Sequence, residues 1–129
     1  MKFTREKPAA VMIRSVSSRH IRIADKIYEH SIALTADGIC EDWGTRSVAE
    51  LGEVDFGPLL AADPDIIVLG TGTTHVFAPR DLVFALVRRG IGLEVMDTPA
   101  AARTYNVLAA EDRQVAAIFY LDRVSQPDR

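Results

Sequence analysis

Cysteine is nearly absent: the 129 residues hold one, Cys40. A lone thiol excludes an internal disulfide and any cysteine-rich zinc site, and it suits a reducing compartment such as the cytosol. Cys40 itself reads as a small buried residue beside a strand, with a reactive thiol as the other reading. Long hydrophobic runs are missing too. None approaches the roughly 20 apolar residues of a membrane span. The early run at residues 9–13 is ended by Arg14 and is too short for a signal-peptide core. A membrane process would therefore be served from the side. Positive charge is not in excess: 15 Lys and Arg against 18 Asp and Glu give a formal net charge of −3. That offers no broad attraction to nucleic acid or anionic lipid. Arg14, Arg19 and Arg22 lack interleaved aromatics and read as a solvated face, so nucleic acid is not an expected partner. There is no internal repeat and no low-complexity linker.

What remains is the make-up of an ordinary globular protein, 48% hydrophobic and 26% charged, long enough for one domain with a real core. The whole chain, 1–129, is expected to form that domain. Its ends, 1–9 and 124–129, are expected to fray.

Residues 10–43 read as β. Val11 and Ile13 alternate with Met12 and Arg14, Ile21 and Ile23 flank Arg22, and residues 31–35 make a further short strand. Asp37-Gly38 is a turn signal before residues 39–43. Closely spaced strands of this kind predict an antiparallel layer. From Ser47 the spacing becomes helical, with short helices expected near 47–51 and 55–61.

The most telling stretch is 64–106, PDIIVLGTGTTHVFAPRDLVFALVRRGIGLEVMDTPAAARTYN. Residues 66–69 are apolar throughout, the habit of a central strand covered on both faces. Pro79 suits a helix's first turn, Arg88 and Arg89 suit its last, and Gly90 suits its stop. Residues 91–96 are the next strand. Thr98 as N-cap with Pro99 at the first helical position opens a helix to about Ala110. Residues 115–121 form a last strand. The β-α-β unit should be a right-handed parallel crossover.

In open α/β sheets, ligands favour the crevice outside the carboxyl ends of the strands. Gly70, Thr71, Gly72, Thr73 and His75 should line it, with Asp97 and Thr98 beside them. Glycines let backbone approach a ligand, and exposed N–H groups can cradle an anion. The loop reads first as a plain turn, because it lacks the third glycine of a dinucleotide fold and the Gly-Lys-Ser/Thr of a P-loop. His75 is a candidate base if Asp97 orients it. The alternatives are a solvated histidine and a helix-entry aspartate. His20 and His30 have no metal-ligand spacing, and no metal or cofactor is implied. On the following helix, Tyr105 either caps the crevice or anchors the helix as a half-buried aromatic. Asn106, mid-helix, should be there for a hydrogen bond. Arg103 accompanies them, and Trp43 reads as core, lid or contact surface. No catalytic set emerges, and no catalytic residue is assigned.

PDIIVLGTG, the proline before the next helix, RRGIGLEVMDTPAAARTYNVLAAEDR and the closing apolar strand resemble the Mth938-like domain family. The resemblance spans most of the chain, including Ser31 and Trp43. Relatives in the family include mitochondrial complex I assembly factor 3 and an adipogenesis-associated protein. The resemblance implies a three-layer α/β fold with a central mixed sheet, its last strand antiparallel to the rest. The N-terminal antiparallel β layer packs against it. It also implies a bacterial-type member and a non-catalytic factor that binds protein partners, for respiratory complex I or another membrane complex, from the cytoplasm. The other reading is a protein, or an enzyme, that binds a small anion or metabolite in the strand-end crevice.

Overall fold

Apolar residues on both faces of a strand need a cover on each side, and the chain supplies both. The structure is a computed structural model describing residues 3–4, 12–41, 43 and 46–122. In chain order its strands are β1 (Phe3–Thr4), β2 (Ile13–Val16), β3 (Ile21–Ile23), β4 (Lys26–Tyr28), β5 (Ile32–Thr35), β6 (Gly38–Cys40), β7 (Ile66–Gly70), β8 (Gly92–Met96) and β9 (Val115–Phe119). The helices are α1 (Gly57–Leu60), α2 (Arg80–Arg88) and α3 (Thr98–Ala110), with 3-10 turns at Val48–Glu50 and Glu53–Phe56.

Six strands form a mixed sheet in the order β1-β6-β5-β9-β7-β8, and β2-β3-β4 form a separate antiparallel sheet. Side-chain alternation splits the large sheet's residues between two cores. Ile67, Leu69, Ala116 and Ile118 face Phe56, Leu59, Leu82 and Leu86 of the α1–α2 layer. Val68, Ala117, Phe119 and Leu34 face Ile13, Ile21, Ile23, Ala101 and Tyr105, so α3 and the small sheet share the opposite layer. This is the expected three-layer α/β arrangement with its N-terminal antiparallel β layer.

One expectation needs correction. The last strand, β9, is not antiparallel to the rest: it runs parallel to β7, which is parallel to β8, and antiparallel to β5. The cause is α3. It forms a second crossover, returning the chain to the starting end of β7, where Asp112 turns it with φ 64°. Ile66 then pairs with Val115, start beside start. The sheet is mixed because β5, β6 and β1 pair antiparallel.

The ends also depart in part. Phe3–Thr4, inside the segment expected to fray, pairs with Ile39 and Cys40 because two ladder positions of β6 lie open there. The rest of 1–9, Val11 and residues 124–129 lie outside the described residues. Cys40 is fully buried. Gly90, with φ +78°, ends α2 as its position suggested.

Candidate functional site

The site begins at the end of β7. Gly70 passes so close to α3 that an added Cβ would lie 2.9 Å from the Thr98 Cα, so only glycine fits. The loop that follows is stitched down at nearly every residue. Thr71 N–H donates to Met96 C=O at 2.9 Å, and the Thr71 hydroxyl donates to Thr74 C=O at 2.6 Å. Gly72 N–H donates to the Thr98 hydroxyl at 2.8 Å, and Thr98 N–H returns a bond to Gly72 C=O at 2.7 Å. The same Thr98 hydroxyl donates to Tyr120 C=O at 2.6 Å, and Tyr120 N–H reaches Gly70 C=O at 2.9 Å. Thr98 thus ties β7, α3 and the chain beyond β9 with one buried hydroxyl.

Thr98 is therefore not the N-cap that the sequence suggested. Asp97 takes that position, its carboxylate accepting from Ala100 N–H at 2.8 Å, while Thr98 and Pro99 occupy the first turn. The shift of one residue frees the threonine hydroxyl for the long-range bonds above.

The loop does hold an anion, and the anion is the protein's own. Asp122 accepts from Thr73 N–H at 3.3 Å and from the Thr73 hydroxyl at 2.8 Å. Gly72 has φ +105°, a left-handed conformation that favours glycine, and a Cβ there would meet the Asp122 carboxylate at 3.2 Å. The amides of Thr71, Gly72 and Thr73 are thus all engaged within the chain. Nothing in the sequence marked Asp122, because its partner is set by the return of β9 beside β7.

His75 is exposed and packs edge-on against Phe77, ring centroids 4.7 Å apart. No hydrogen bond or ion pair joins it to Asp97 among the described residues, and the Asp97 carboxylate serves the helix. The base–orienter pair of the catalytic reading is not assembled.

The residues of α3 fall into three places. Tyr105 is buried at 4% exposure and meets Phe119 edge-on at 6.0 Å. Burial pushes its phenol up to about 12. Asn106 is spent on β2: its amide oxygen accepts from Ile13 N–H and its amide nitrogen donates to Ile13 C=O, each at 2.9 Å. Arg103 is exposed and borders a cleft of about 190 Å³ between α3 and β2, with Arg14 opposite. So Gly70, Thr71, Gly72, Thr73, Asp97 and Thr98 gather at the strand ends. Tyr105 is in the core, and Asn106 and Arg103 face the small sheet.

Trp43 belongs to the other core. It is 8% exposed and meets Phe56 edge-on at 5.8 Å. Its indole N–H has no hydrogen-bond partner among the described residues, though it lies near enough to Tyr120 to oppose the burial that raises that phenol's pKa. Tyr120 donates instead to Arg46 C=O at 2.8 Å. No described helix is long and apolar enough to cross a membrane, and no three metal-ligating side chains gather among the described residues.

The fold and this stitched strand-end loop define a small three-layer α/β domain of the Mth938-like kind. A Bordetella pertussis protein described as an Mth938-like domain superposes with a TM-score of 0.71 at 25% identity, over 99% of this chain and 97% of that one. A Xanthomonas campestris protein solved by NMR superposes at 0.82 with 36% identity, over 98% and 96%. Residues 13–120 match the family described as "Protein of unknown function (DUF498/DUF598)", and the chain belongs to that family. Bovine NADH dehydrogenase [ubiquinone] 1 alpha subcomplex assembly factor 3 is 32% identical over 115 residues, 88% of this chain but only 62% of that protein. A Francisella tularensis protein named 13 kDa major membrane protein is 27% identical over 70% of this chain and 75% of its own length.

Proposed function

We propose that the protein is a non-catalytic, protein-binding assembly factor, acting from the cytoplasm on a membrane complex, with respiratory complex I the first candidate. The observation that carries this is chemical: most of the polar groups singled out at the strand ends, His75 apart, already have partners within the chain. The Thr98 hydroxyl, the Asp97 carboxylate and the amides of Gly72 and Thr73 each have an internal partner. A catalytic or ligand-binding site keeps such groups poised for a substrate. The likeness to a relative named as a complex I assembly factor supports the same reading.

Affinity capture of the tagged full chain from its own cells, with mass spectrometry of what is retained, tests it. Subunits of a respiratory or other membrane complex are the expected partners. An eluate without partners would contradict the reading.

A second reading, a small-anion binder, draws only on the cleft that Arg103 and Arg14 border. A rise in melting temperature with phosphate or a dicarboxylate, lost in Arg103→Ala, would favour it.

A further inference from the structure

Among the described residues β8 pairs with β7 alone, so it is an edge of the large sheet. Its backbone is used on one side only. Gly92 N–H donates to Asp65 C=O at 3.1 Å, and Met96 C=O accepts from Thr71 N–H at 2.9 Å. A parallel ladder alternates, so Gly92, Glu94 and Met96 present their amides to β7. The N–H and C=O groups of Leu93 and Val95 then face away from the sheet. Such a row is a template for another strand.

The ground beside this edge is largely apolar. Val107 is 58% exposed and, with Arg103, Thr104 and Leu108, lines a shallow hollow of about 250 Å³. The Thr104 hydroxyl meets Met96 Sδ at 3.3 Å, which sets the hollow against the end of β8. On the other face Leu93 and Val95 are half-buried against the α1–α2 core. A strand laid along β8 would send alternate side chains above and below, one set towards Val107.

Glu94 selects the strand. It is exposed at the centre of β8 and shares a face with Met96. Two copies pairing antiparallel about that centre would set Glu94 against Glu94, and like charges directly opposite are destabilising. The same carboxylate attracts a Lys or Arg on a foreign strand.

We propose that the β8 edge docks an extended segment of a partner protein, added to the sheet next to β8. Its alternate apolar side chains fill the Val107 hollow, and a basic residue lies opposite Glu94. The inference rests on the protein-binding reading above and specifies where and how the partner is held.

Panning a phage-displayed library of random peptides against the full chain tests it without a cellular partner. The expected result is enrichment of extended segments with alternating apolar residues and one fixed Lys or Arg. Binding should slow hydrogen exchange at the Leu93 and Val95 amides. Val107→Asp should weaken the peptides about tenfold or more, a loss of about 1.4 kcal/mol. Glu94→Lys should turn the selected basic position acidic. Val107 and Glu94 are both exposed, so neither change strikes the core. No enrichment, binding indifferent to both substitutions, or a dimer protected at Leu93 and Val95 would overturn the proposal. Cellular capture that succeeds while panning fails leaves the assembly role standing and removes only this edge from it.

Discussion

Asn106 clamps Ile13 from 93 residues away, accepting from its N–H and donating to its C=O, both at 2.9 Å. A side-chain amide can match a backbone amide donor for acceptor, and that match fastens the small sheet to α3. The clamp explains an asparagine in mid-helix, where the residue is a mediocre former.

Asn106→Ala should therefore destabilise the fold by about 2 kcal/mol, since two hydrogen bonds go and the Ile13 N–H is left without its acceptor. Urea unfolding measures this. Asn106→Asp should recover only part, because a carboxylate accepts from Ile13 N–H but cannot donate to its carbonyl.

Thr98→Val keeps the shape and removes the hydroxyl that serves Gly72 and Tyr120. A loss of about 2–3 kcal/mol is expected, because the buried Gly72 N–H loses its acceptor. Thr98→Ser should restore most of it. Equal stability of the valine and serine variants in thermal melts would show that the hydroxyl is not the tie described.

Gly70→Ala tests the close approach of β7 to α3. Its Cβ would sit 2.9 Å from the Thr98 Cα, which is backbone and cannot swing aside. The expected cost is about 2 kcal/mol or more. Gly52→Ala is the contrast, with open space around the new methyl.

Tyr105 should make the fold alkali-sensitive. Its phenol is pushed up to about 12 by burial, against about 10 in the unfolded chain. A pKa raised by folding stabilises fully below the unfolded value, so the Tyr105 contribution is constant below about pH 10 and falls as pH climbs towards 12. The drop amounts to about 2–3 kcal/mol. Tyr120 is shifted the same way, chiefly by burial, and adds to it. Phenolate absorbance during alkaline titration follows the event, and Tyr105→Phe should flatten most of the decline.

Much of this was legible in the sequence. The unbroken Ile66–Gly70 run, the helical spacing before Gly90 and the alternating N-terminal strands each state their element locally, through periodicity and turn chemistry. The direction of β9 was not legible, because a turn at residues 111–112 permits either sense and only the packing of α3 decides. Asn106 announced that it needed a hydrogen bond. Its partner could not be named, since a backbone amide is the same at every residue. Thr98 and Asp97 exchanged roles for a related reason. Both are good caps, and the choice turned on Tyr120, which is brought near by the sheet rather than by the sequence.

The assembly-factor account is tested most directly by native gel electrophoresis of membranes from cells lacking this chain. The account predicts a partly built membrane complex, with complex I the first to inspect, and its completion when the wild-type chain is restored. Fully assembled complexes in normal amount without the chain would contradict it.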